Sequence, residues 1–196
     1  MADPSYIDAD GVLTDGEAWV ALATETPSGD NVEFTSAACV SALGMAGDWS
    51  QFMDLVIIGY ARSGVAGSGN TGVYFTLNND GASNYAWQQL QGDGSSASAD
   101  VNASISYIRF GVAPQASATA NAFGAYKIEL FDINSGKYKS VLCQGASDLD
   151  GSGNVNLFAG TYRSQAPITV IDLTDDSGFV AGSRFDLFGV LPRMVA

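Results

Sequence analysis

The chain has 196 residues, a formal net charge of −13, 46% hydrophobic and 15% charged residues. That length supports one sizeable core, while eight Lys and Arg spread singly cannot replace the counterions of a nucleic acid or hold an anionic membrane. The 23 Gly and the shortage of charged residues suit strands joined by small-residue turns better than amphipathic helices.

Along the chain, residues 1–17 read as an N-terminal arm. Met-Ala-Asp-Pro-Ser-Tyr has neither the basic nor the apolar region of a secretory leader, which points to assembly in the cytoplasm. Ten acidic residues and no basic one precede Arg62, reading either as a solvated face or as a flank that docks on a basic surface. Strands are predicted over Trp19–Glu25, Asn31–Ser36, Phe52–Ala61, Gly72–Leu77, Asn84–Leu90 and Val101–Val112. Further strands are predicted over Ala125–Asp132, Tyr138–Gln144, Val155–Tyr162, Ile168–Thr174 and Arg184–Val190. Several alternate with period two, the mark of a half-buried strand. Phe52–Ala61 is apolar almost throughout, as for a central strand covered on both sides. The one helical turn expected is Ala37–Gly47.

Turn signals stand at Asn79-Asp80-Gly81, Asn134-Ser135-Gly136 and Asp176-Ser177-Gly178, residue types that tolerate positive φ. Loops are expected over Ser63–Thr71, Gly92–Asp100 and Pro114–Asn121. Ten or eleven short strands so spaced predict an all-β protein: a single antiparallel β sandwich, jelly-roll-like, over residues 1–196, with a short C-terminal tail at 191–196.

The chain has no histidine, which removes the commonest general base and the usual zinc and iron ligand sets. Cys39 and Cys143 lie far apart in sequence and read as small buried hydrophobes. Gly67-Ser68-Gly69-Asn70-Thr71-Gly72 fits a dinucleotide fingerprint in letters only, because a strand and not a helix follows it. Asp148-Leu149-Asp150-Gly151-Ser152-Gly153 opens like a calcium loop, yet position twelve holds Ala159 in place of the bidentate Glu. A polar turn is the favoured reading, with Asp148, Asp150 and Ser152 as the metal candidates under the other. Trp19, Trp49 and Trp87 are candidate sugar-stacking aromatics, with Trp49 and Trp87 put forward as ligand-facing, although aromatic side chains in a β protein also serve as packing. No pair of carboxylates is marked as a glycosidase pair. No catalytic residue and no cofactor is expected, and the protein reads as a non-enzyme.

One order of segments resembles a known group. Ala18-Trp19-Val20-Ala21-Leu22 leads to Val32-Glu33-Phe34-Thr35, then Leu55-Val56-Ile57-Ile58-Gly59-Tyr60, then Val73-Tyr74-Phe75-Thr76-Leu77 before Asp80-Gly81. Gly136-Lys137-Tyr138-Lys139 and Gly160-Thr161-Tyr162 follow. Ser177-Gly178-Phe179-Val180-Ala181-Gly182-Ser183-Arg184-Phe185-Asp186-Leu187-Phe188-Gly189-Val190 closes the series. This order resembles bacteriophage virion structural proteins of head-decoration, head-fibre or tail-fibre type. The closing segment is the most specific match and departs by Phe188, where Tyr is usual. The resemblance implies a jelly-roll-like sandwich located on the virion, with the major capsid protein or other virion subunits as partners. A capsid decoration or cement protein is the leading expectation, self-associating, with a trimer favoured. The alternative is a receptor- or carbohydrate-binding domain of a tail or head fibre, with a host-surface glycan as partner.

Overall fold

The computed structural model describes residues 19–42 and 48–191; the expected arm at 1–17, all but Leu191 of the expected tail at 191–196, and residues 43–47 of the expected helical turn Ala37–Gly47 lie outside them. Twelve strands are present among the described residues: β1 Trp19–Glu25, β2 Val32–Thr35, β3 Asp54–Ala61, β4 Asn70–Leu77, β5 Tyr85–Gly92, β6 Ala97–Ile105, β7 Ile108–Pro114, β8 Gly124–Phe131, β9 Lys139–Asp148, β10 Gly153–Tyr162, β11 Val170–Thr174 and β12 Arg184–Val190. One short helix, α1, spans Ser36–Ala42, and a single 3-10 turn spans Trp49–Gln51.

The strands form two antiparallel sheets. The large one has the order β1-β12-β3-β8-β9-β10-β5-β6, and the small one β2-β11-β4-β7. Without the hairpins β5–β6 and β9–β10, the large sheet reads β1-β12-β3-β8. The chain then steps between sheets from β1 to β2, β3 to β4, β7 to β8 and β11 to β12. That path is the double Greek key of a jelly roll, so the expected sandwich is the observed one. The two hairpins pair with each other through β10 and β5 and extend the large sheet on one side as a four-stranded wing.

Between the layers, Phe34, Phe75, Phe110, Ile128, Leu130, Phe158, Phe185 and Leu187 are fully buried. Glycine lets the sheets approach closely at one point: a Cβ on Gly145 of β9 would press on the Phe110 carbonyl and on Gly111 of β7. Both cysteines are free and buried, as expected of small apolar residues. Burial pushes the Cys39 thiol up to about 11 and raises that of Cys143 further.

Several sequence expectations change here. Val101–Val112 is two strands, β6 and β7, broken at Ser106–Tyr107. Gly92–Asp100, expected as a loop, is a tight turn at Asp93–Ser96 followed by β6. The Asp93 carboxylate accepts the backbone N–H groups of Ser95 and Ser96 at 2.8 and 2.7 Å. β3 is central, with Leu55 and Ile57 facing the core; on its other side Val56 is covered while Ile58 and Tyr60 are exposed. The Asn134-Ser135-Gly136 signal closes the β8–β9 hairpin. The other two turns carry the chain from one sheet to the other, as tight connections and not hairpins.

Candidate functional site

Residues paired across an antiparallel ladder share a face, so the registers place each outward side chain of the wing. Ala97 of β6 lies beside Gly92 of β5, Gly92 beside Val155 of β10, Val155 beside Ala146 of β9, and Ala146 beside Ala125 of β8. The next row runs Ala99, Leu90, Leu157, Gln144, Lys127, and a third runs Val101, Gln88, Ala159, Leu142, Glu129. None of these positions lies between the sheets. Leu90, Val101, Val155 and Leu157 are 57%, 65%, 67% and 42% exposed. Over the first two rows the surface dips into an open groove of about 750 Å³, lined by Leu90, Val155, Leu157 and small residues, with Gln144 and Lys127 at one side. Aliphatic side chains standing in water on neighbouring strands are what marks an association surface on a folded chain.

The face continues across the body of the sheet. The exposed Tyr60 and Ile58 of β3 lie beside Arg184 and Asp186 of β12, the buried Val56 lies beside Phe188, and Trp19 of β1 packs its ring at 5.9 Å from Phe188. Its charges are neutralised locally. Lys127 pairs with Glu129 at 2.9 Å, Arg184 with Asp186 at 2.8 Å, and the Asp54 carboxylate accepts the Asp132 N–H at 2.7 Å. The Arg184 guanidinium holds the Asp186 carboxyl below its usual range.

The inner face of the wing has the opposite character. Gln89 and Asn156 are buried there, with the Gln89 amide donating to Asn156 Oδ1 at 2.6 Å and to Gln91 Oε1 at 2.6 Å. Ser147 Oγ donates to Asn70 Oδ1 at 2.7 Å. β6 itself is exposed along almost its whole length, because the small sheet ends at β7 and does not reach it.

The residues singled out from sequence are not gathered into one site. Trp49 and Trp87 are buried, at 1% and 5% exposure, which removes them as ligand-facing aromatics. Trp49 sits under the 3-10 turn with its backbone N–H donated to Ser36 Oγ at 2.7 Å. Trp87 meets Phe158 edge-to-face at 5.8 Å. Both are packing residues, Trp49 from the 3-10 turn and Trp87 from the inner side of β5, the ordinary fate of a large aromatic in a β protein. Asp148, Asp150 and Ser152 lie along the β9–β10 turn. The Asp148 carboxylate accepts the Gly151 N–H at 2.8 Å, and Asp150 and Gly151 take the left-handed conformation at φ 71° and 93°. Gly153, at φ 148°, has no room for a Cβ against the Ser147 carbonyl. Glycine here therefore serves a tight turn. Among the described residues no three His, Cys, Asp or Glu side chains converge as a metal site requires.

The Ser177–Val190 segment, which carried the closest resemblance, has a structural part in this fold. Phe179 is buried and its backbone bridges Asp30 and Ser63. The Ser183 hydroxyl accepts the Arg62 N–H at 3.1 Å. The Arg62 guanidinium in turn donates to the carbonyls of Thr119, Ala122, Ala116 and Ala118 at 2.7, 3.0, 3.1 and 2.8 Å, fixing the expected loop Pro114–Asn121 between β7 and β8. The other expected loop, Ser63–Thr71, is tied to it by backbone bonds from Ala116 to Val65 and from Ser117 to Gly67. No family model matches this chain, and no curated protein and no solved structure matches it significantly.

Sequence reasoning missed the wing. Its signal was present in β10, where Val155, Leu157 and Ala159 alternate with Phe158 and Gly160, so that both sides of one strand carry apolar residues.

Proposed function

We propose that this chain is a structural protein of a bacteriophage virion, a decoration or cement subunit that coats or stabilises the head. It would be assembled in the host cytoplasm and seated among major capsid protein and other virion subunits. The observation that carries the reading is the uncovered apolar outer face of the large sheet. A coat component works by burying such a face against its neighbours, because apolar area removed from water stabilises association by roughly 25 cal/mol per Å² before the ordering costs are subtracted. The order of segments summarised by Ser177–Val190 supports a virion setting. The tail-fibre alternative draws less support, since two of the three indoles, those of Trp49 and Trp87, are in the core, while the exposed Trp19 is packed against Phe188.

Immunogold electron microscopy of purified particles tests the location. Label spread over the head in numbers that follow the capsid lattice is the expected result. Label confined to the tail contradicts the decoration reading.

A further inference from the structure

We infer that the partner covering the outer face of the wing is a second copy of this chain, packed face to face about a two-fold axis. The inference deepens the assembly reading and rests on it for the setting alone, since the contact is between two purified chains.

Charge selects the partner. The chain carries −13, so two copies repel over most orientations. Among the described residues, the outward positions of β5, β6, β9 and β10 hold one acid, Asp148, at the tip of the wing, where its carboxylate accepts the Gly151 N–H and keeps its charge away from the aliphatic rows. At the margin, Lys127 and Glu129 cancel each other at 2.9 Å. A basic partner would be recognised by carboxylates, and this face presents almost none. An acidic partner can approach only where acid has been cleared, and the most acidic partner guaranteed to be present is the chain itself. Depletion of charge at the centre of a patch is also the compositional mark of an interface core.

Shape points the same way. The second row raises a ridge, Leu90 beside Leu157, against the first row, which is a trough of Gly92, Ala97, Ala146 and Ala125 interrupted by Val155. An isologous contact requires the same patch to be both key and lock. Rotating one copy by half a turn lays its Leu90–Leu157 ridge along the other's trough. Alanine at 97, 99 and 103 of β6 keeps the margin low on either side of the exposed Val101, so that two sheets can pack at about 10 Å, the ordinary spacing of stacked sheets. The contact is two-fold, in place of the three-fold assembly expected from the resemblance.

Sedimentation velocity of the full chain at tens of micromolar, with circular dichroism on every variant, tests the inference. The expected wild-type species has twice the mass of the 20.3 kDa chain. Leu157→Asp should weaken association by about a hundredfold or more, because a carboxylate would be buried without a partner, and should sediment as a folded monomer. Should Leu157→Asp fail to fold, Leu90→Ser on the same ridge gives the same readout. Thr76→Lys, on the outer side of the small sheet, should leave the dimer intact. A wild-type chain that stays monomeric, or an assembly indifferent to both ridge variants, overturns the inference. Neither result bears on whether the protein is found on the head, which microscopy of particles decides separately.

Discussion

The two outer faces of this sandwich are built by the same alternation and have opposite chemistry. On the small sheet, Glu33 of β2, Asp172 of β11 and Thr76 of β4 form one row, and Thr174, Tyr74 and Arg109 form the next. That face is polar and tolerates two neighbouring carboxylates. On the large sheet, the corresponding rows through the wing are uncharged and mostly aliphatic, broken by Gln88 and Gln144, and through the body Lys127–Glu129 and Arg184–Asp186 are paired. A strand's period tells which side chains point away from the core. Only their identity tells whether water or another surface waits there. The small sheet's face reads as one kept in solvent, and the large sheet's as one kept for assembly.

Neighbouring residues on β10 offer the sharpest way to break this contrast. Phe158 is fully buried and Leu157 is its outward neighbour. Phe158→Ala should cost about 3–5 kcal/mol of unfolding free energy, the transfer loss of the ring together with the cavity left behind, as measured by urea denaturation. Leu157→Ala, compared at concentrations low enough to keep both proteins monomeric, should cost no more than about 0.5 kcal/mol. A Leu157 effect as large as that of Phe158 would mean that the outer face is part of the monomer's own core.

A smaller effect sharpens the other side of the comparison. Burial, with Glu33 directly across the ladder, pushes the Asp172 carboxyl above its ordinary value. A raised folded-state value means that the charged form is disfavoured in the fold. The pair therefore costs stability at neutral pH, and the cost fades as pH falls through the folded value. Asp172→Asn should accordingly stabilise by about 0.5 kcal/mol at neutral pH, a size appropriate to a half-exposed like-charge pair. The gain should vanish by about pH 3, where wild-type Asp172 is itself protonated. Thermal melts of the two proteins at both pH values check the sign, and a gain that grows on acidification would show that Glu33 is not its cause.

Much of the fold was legible in the sequence, for a physical reason that also marks where legibility ended. β1 and β12 have the predicted bounds because bulky alternating residues with clear turns define both ends. The first half of β6, Ala97–Asp100, was read as a loop because Ala, Ser and Asp carry no strand signal. An edge strand lying beyond the small sheet packs against no core, so nothing requires β-branched residues of it. β3 looked doubly covered because its outward Val56, Ile58 and Tyr60 are as apolar as its inward Leu55 and Ile57. That misreading and the missed wing share one origin, since apolar residues on an outer face imitate burial when the partner is another surface. Trp87 was open to a better reading. Tyr85, Trp87 and Gln89 share a face, and two large aromatics in phase already indicate the core side.

The claim that the wing's outer face is an assembly surface is tested most directly by a cryo-electron microscopy map of the assembled particle, at a resolution that separates strands. The account predicts Leu90, Val155 and Leu157 of one copy packed against the same rows of another, with the Glu33–Asp172–Thr76 row open to solvent. A map in which the wing's outer face stands free in solvent while the small sheet makes the contacts would contradict it.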